Sequence, residues 1–108
     1  MSKVRLCPLL DLKEGEPLRV ELPNVDIAAV RMGDDVFAIE DVCSHANVPL
    51  SDGEVLVEDG VCTIECIYHG SRFSLITGEP TNLPATEPVP VYPVEIVDDI
   101  VYVELENG

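Results

Sequence analysis

Cys43-Ser44-His45-Ala46-Asn47-Val48-Pro49-Leu50 and Cys66-Ile67-Tyr68-His69-Gly70 contain both histidines of this 108-residue chain, each within three residues of a cysteine. Placed side by side, the two loops offer two thiolates and two imidazoles to one centre. Each continues in a way that suits that task. The first stays uncharged over 46–50 and carries Pro49, and in the second Gly70 lets the backbone pass close to a bound group.

Two kinds of metal centre take this ligand set. In a [2Fe-2S] cluster of mixed ligation one iron takes both cysteines and the other both histidines, so each loop must supply one of each, as Cys43, His45, Cys66 and His69 do. Zinc also accepts two cysteines and two histidines, but its sites usually pair Cys with Cys and His with His at short spacing. Both pairs here are mixed, which favours the cluster over zinc. Histidines that merely pack or face solvent would leave it to coincidence that both sit at ligand spacing.

The chain resembles the Rieske-type ferredoxins, small electron carriers that serve aromatic-ring and related oxygenases. The similarity runs from the strand around 4–6 to the closing strand at 100–105. Family members carry Cys-x-His, a spacer and Cys-Pro-x-His-Gly, then a stretch like Ser71-Arg72-Phe73-Ser74 and a glycine after Leu-x-Thr, matched by Leu75-Ile76-Thr77-Gly78. Ile67 stands where a proline is usual, which leaves restraint of that loop to packing. The resemblance implies an all-β Rieske fold of antiparallel sheets or a small barrel, a single domain over 1–108 with a cluster-binding subdomain at one tip, about 41–85. It implies one Rieske [2Fe-2S] cluster on Cys43, His45, Cys66 and His69, with Tyr68, Gly70 and Ser71 around it. The protein would be no enzyme itself. It would carry single electrons from a flavoprotein NAD(P)H reductase to a terminal oxygenase, such as a dioxygenase, by transient docking.

The same resemblance sets further expectations. High-potential family members join their cluster loops by a disulfide, at positions that are Val48 and Tyr68 here, so none can form. They also use a serine after His-Gly and a tyrosine two positions on; Ser71 is kept, but Phe73 has no hydroxyl. Fewer hydrogen bonds to the sulfurs place the potential in the lower third of the Rieske range of roughly −150 to +300 mV. The histidine side is expected to be exposed as the electron exit, with Asn47, Val48, Pro49, Leu50, Pro84 and Ala85 forming a small uncharged docking face. The proline-rich stretch 78–93 is expected to cover one side of the cluster. An accessory role in iron-sulfur assembly or another redox pathway, or a small subunit fixed to a reductase, would use the same fold. A fixed subunit should display a sizeable apolar face, and no stretch of the sequence stands out as one.

Charge narrows the partners. Six basic residues against 21 acidic ones give a net charge of −15, which repels nucleic acid and anionic membrane surfaces and draws the chain toward basic patches. Five of the six, Lys3, Arg5, Lys13, Arg19 and Arg31, fall in the first third, and only Arg72 follows. Residues 4–10 are broken by Arg5 and Pro8 and run into Asp11, too short and polar for a signal peptide or a membrane span. A cytoplasmic monomer is the expectation.

Short β-type runs separated by turn residues predict strands at 3–6, 19–22, 27–31, 36–40, 54–57, 62–65, 73–76, 91–97 and 100–105. Glu58-Asp59-Gly60 and Asp98-Asp99 read as hairpin turns, and 9–14 as a helical turn. Cys62 and Cys66, four apart in a predicted strand, would lie about 13 Å from each other. Cys62 and Cys7 therefore read as apolar filler rather than ligands.

Overall fold

Ile27, Ala28, Ala29 and Val30 are all fully buried, although successive side chains of a strand point to opposite faces. A strand covered on both faces must be the middle of three layers. The computed structural model describes residues 2–23, 25–43, 48–58, 60–68, 70–82 and 86–105, the side chains of Ser2 and Glu58 excepted. Its strands are β1 (Ser2–Pro8), β2 (Leu18–Glu21), β3 (Asp26–Met32), β4 (Asp35–Glu40), β5 (Glu54–Glu58), β6 (Val61–Glu65), β7 (Arg72–Ser74), β8 (Val91–Tyr92), β9 (Val94–Val97) and β10 (Ile100–Leu105). They form three sheets, ordered β1-β10-β9, β2-β3-β4-β8 and β5-β6-β7, and every strand pair is antiparallel. The sheets are open; among the described residues no barrel closes.

The middle sheet divides the interior in two. Ile27, Ala29 and Ala38 face the β1-β10-β9 sheet and pack with Leu6, Val101 and Val103. Ala28, Val30 and Ile39 face the β5-β6-β7 sheet and pack with Ile64, Phe73 and Leu75. Three alanines in β3 and β4 keep the middle layer thin, so both outer sheets can approach its backbone. Among the described residues, no helix is long and apolar enough to cross a membrane.

Several expected elements change shape for identifiable reasons. The run 91–97 is two strands, because Pro93 has no N–H to continue a ladder: β8 pairs with β4 through Ile39 and Ala38, while β9 crosses to β10. β7 ends at Ser74, whose Oγ accepts hydrogen bonds from the N–H groups of Ile76 and Thr77 and turns the chain there. The helical signal at 9–14 is a single 3-10 turn over Leu9–Asp11, and a second one, over Leu50–Asp52, lay outside the predicted elements. β6 stops at Glu65, so Cys66 has left the strand that holds Cys62. The last hairpin turns through Asp98 and Asp99 at φ of 50° and 63°, the left-handed pair that a two-residue type I′ turn requires.

Candidate metal centre

The two cysteine loops close in the same way. The Cys43 N–H donates to the Val48 carbonyl at 3.0 Å, and the Cys66 N–H donates to the Ser71 carbonyl at 2.7 Å. Each cysteine thus bonds to the fifth residue beyond it, and the histidine position lies inside the turn so formed. In the second loop the Gly70 N–H also returns to the Cys66 carbonyl at 3.1 Å, with Gly70 at φ 77°, where a side chain would be strained.

Cys43 and Cys66 are both buried and belong to one apolar cluster with Leu50, Ile64 and Phe73. Neither forms a disulfide. Two cysteines outside any disulfide, brought into one apolar core by equivalent turns, fit the cysteine half of a cluster site. His45 and His69, with the expected exposure of their rings, lie outside the described residues, as do Asn47, Pro84 and Ala85. Among the described residues no group of three or more His, Cys, Asp or Glu side chains is arranged to hold a metal ion. The remaining two cysteines lie in different places. Cys7 is in the other core, where burial, with Asp11 nearby, pushes its thiol pKa up and keeps it inert. Cys62 is half-buried against the core that holds Cys43 and Cys66.

The loops are tied to each other and to the frame by residues the motifs do not contain. Gly53, at the end of the 3-10 turn after the first loop, sits so close to Glu65, just before Cys66, that a Cβ there would lie 1.7 Å from the Glu65 carbonyl oxygen. The buried carboxylate of Asp41 accepts from the Ser51 N–H at 2.7 Å and from the Ser51 hydroxyl at 2.6 Å, spanning the base of the first loop. Arg72 Nε pairs with Glu65 at 3.0 Å across the β6-β7 register. The proline-rich segment is fastened by the Val89 N–H to the Gly78 carbonyl and by the Glu40 N–H to the Pro90 carbonyl, and its Thr81 N–H donates to the Arg72 carbonyl at 2.7 Å.

Of the expected surroundings, Ser71 is buried and Phe73 is a core ring. The uncharged docking face needs correction. Leu50 is fully buried, since the turn over Leu50–Asp52 points it into the core, and Val48 and Pro49 are half-covered. The exposed apolar side chains of the described loops are Ile67, at 59%, and Tyr68, at 65%.

The Rieske [2Fe-2S] domain pattern matches residues 2–93. The 3-phenylpropionate/cinnamic acid dioxygenase ferredoxin subunit of Escherichia coli (strain K12) is 39% identical over 108 residues, covering 100% of this chain and 98% of that protein. The ferredoxin of carbazole 1,9a-dioxygenase from Nocardioides aromaticivorans IC177 superposes with a TM-score of 0.86 at 36% identity, over 95% of this chain and 97% of that one. A chain of a complex of reduced oxygenase and oxidized ferredoxin in carbazole 1,9a-dioxygenase superposes at 0.82 with 36% identity, over 96% of this chain and 97% of that one. With the motifs, the three-layered fold and these likenesses in agreement, the chain belongs to the Rieske [2Fe-2S] domain family.

Proposed function

We propose that this chain is the ferredoxin component of a Rieske-type oxygenase system, a one-electron carrier and not itself a catalyst. The observation that carries the reading is the 39% identity to a dioxygenase ferredoxin subunit along essentially the full length of both chains. Cys43 and Cys66 would bind one iron and His45 and His69 the other, within a domain whose cluster-binding part spans about 41–85. The bound cluster would take up one electron and release it again. The chain's own residues bury the cysteine side in the core of Leu50, Ile64 and Phe73 and hold each loop by its Cys N–H bond. A flavoprotein NAD(P)H reductase is the proposed donor and a terminal oxygenase the acceptor.

The test is the composition and spectrum of the purified protein: two irons and two sulfides per chain, and in the reduced form an electron paramagnetic resonance signal with the low average g value of nitrogen-ligated iron. Zinc in place of iron, or a signal typical of four thiolate ligands, would overturn the ligand assignment.

Docking is assigned to the second loop, where Ile67 and Tyr68 stand out beside the His69 position. Residues 41–87 carry eight acidic residues against Arg72 alone, and Arg72 is paired with Glu65, so a partner with a basic rim is favoured. Ile67→Ser is expected to slow electron delivery to the oxygenase about fivefold, as loss of a central apolar contact does, and to leave the visible spectrum unchanged. Rates with both partners should fall as salt rises. An Ile67→Ser protein that transfers electrons at the wild-type rate would place docking elsewhere.

A further inference from the structure

Asn82 lies in the proline-rich segment, outside both cysteine motifs, yet its side chain holds the second loop. Its Oδ1 accepts from the Arg72 N–H at 2.6 Å and its Nδ2 donates to the Gly70 carbonyl at 3.0 Å. The amide orientation is fixed by its partners, since one is a donor and the other an acceptor. A side-chain amide has the same donor and acceptor as a peptide unit, so Asn82 binds the main chain on either side of Ser71 as a neighbouring strand would. Thr81 extends this edge through its N–H to the Arg72 carbonyl. On the opposite side the Ser71 carbonyl is taken by the Cys66 N–H. The segment 70–72 is therefore held from both sides, directly after the His69 position. The loop itself has neither a disulfide nor a proline to stiffen it.

We propose that Asn82 is a positioning residue that clasps the second loop and fixes the backbone from which His69 presents its ring; this rests on the assignment of His69 as a ligand. Ser71 is buried, but the Gly70 carbonyl and the Arg72 N–H on either side of it are polar main-chain groups, and Asn82 bonds both. The proline-rich segment is consequently a mechanical part of the site, fastened at its base by Gly78, Val89 and Pro90 and reaching 70–72 through the Asn82 amide and Thr81.

The test compares wild-type holoprotein with Asn82→Ala and Asn82→Asp. Hydrogen–deuterium exchange read by mass spectrometry over 70–72 is expected to be about tenfold faster in Asn82→Ala, the size set by two lost neutral hydrogen bonds and local opening. Asn82→Asp keeps the acceptor for the Arg72 N–H and loses the donor to the Gly70 carbonyl, so it should fall between the other two. Iron release to a chelator should follow the same order, and the g values of the reduced Asn82→Ala protein should broaden. A role confined to stability would lower the melting temperature and leave the g values in place. Exchange over 70–72 at the wild-type rate in Asn82→Ala, or unaltered g values, would overturn the proposal. Wild-type protein without iron and sulfide would overturn the ligand assignment instead, with exchange over 70–72 still reporting the clasp.

Discussion

Gly53→Ala is expected to destabilise the protein by about 3 kcal/mol or more, at the upper end of what overpacking costs, and to lower its iron content in step. The added Cβ would meet the Glu65 carbonyl oxygen at 1.7 Å, the Glu65 carbonyl carbon at 2.9 Å and the Leu50 carbonyl oxygen at 3.3 Å. All three are main-chain atoms, so no side chain can swing away to make room. Gly53 itself has φ −93°, which alanine adopts freely, and the cost is therefore entirely one of contact. Relief requires either the turn over Leu50–Asp52 to lift from the core or β6 to move at the residue preceding Cys66. Each movement separates the two cysteine loops.

Gly33 supplies the control. It has φ 62° and nothing within 4 Å of an added Cβ, so Gly33→Ala carries only the left-handed penalty of about 1 kcal/mol. Thermal or urea unfolding of the two variants, with iron analysis, separates contact from conformation. If Gly53→Ala melts with Gly33→Ala and keeps its iron, the first loop is not seated on β6 and the joint between the loops lies elsewhere.

How much of this was readable in advance follows the range of the interactions. The strand at 27–31 was expected but the three-layered core was not, although the unbroken apolar run at 27–30 fits a strand covered on both faces, which has no reason to alternate. The two loops are visible because their side chains act within four residues of each other. Pro93 was also visible, and its consequence follows from the missing N–H, yet the direction in which β9 leaves, to β10, depends on an edge no local pattern describes. Leu50 looked like surface because it follows an uncharged loop, but the 3-10 turn that buries it is held by Asp41, nine residues back. Gly53 reads as an ordinary turn glycine; only the approach of Glu65 gives it its role. Asn82 is ten residues from Arg72 in a stretch whose prolines signal only irregular structure. The ligand pattern was legible and the contacts that support the loops were not, since a sequence pattern is local and a support is a meeting of distant segments.

Asp41 is the support for which the second large effect is expected. Its side chain is entirely covered, and besides Ser51 it has Arg19 Nη1 at 3.5 Å, the same arginine that reaches Asp26 at 2.8 Å through Nη2. Its own N–H is bound to the Asp26 carbonyl at 2.8 Å, so it joins β3, the end of β4 and the turn after the first loop. Asp41→Ala leaves the Ser51 N–H and hydroxyl without their partner and should cost about 2–4 kcal/mol, the range for hydrogen bonds to a buried charge. Asp41→Asn keeps the shape. Its oxygen can still accept from the Ser51 N–H and its amide can donate to the Ser51 hydroxyl, so the charge and the long contact from Arg19 Nη1 to the same position are lost and about 1 kcal/mol is expected. Ser51→Ala removes one of the two bonds and should resemble Asp41→Asn in size. Because Asp41 and Ser51 act as a unit, the double change Asp41→Ala with Ser51→Ala should cost less than the two single changes added together. Denaturant unfolding of the four variants closes the cycle. Strict additivity would mean that the carboxylate and the serine stabilise the loop independently and do not act as a unit.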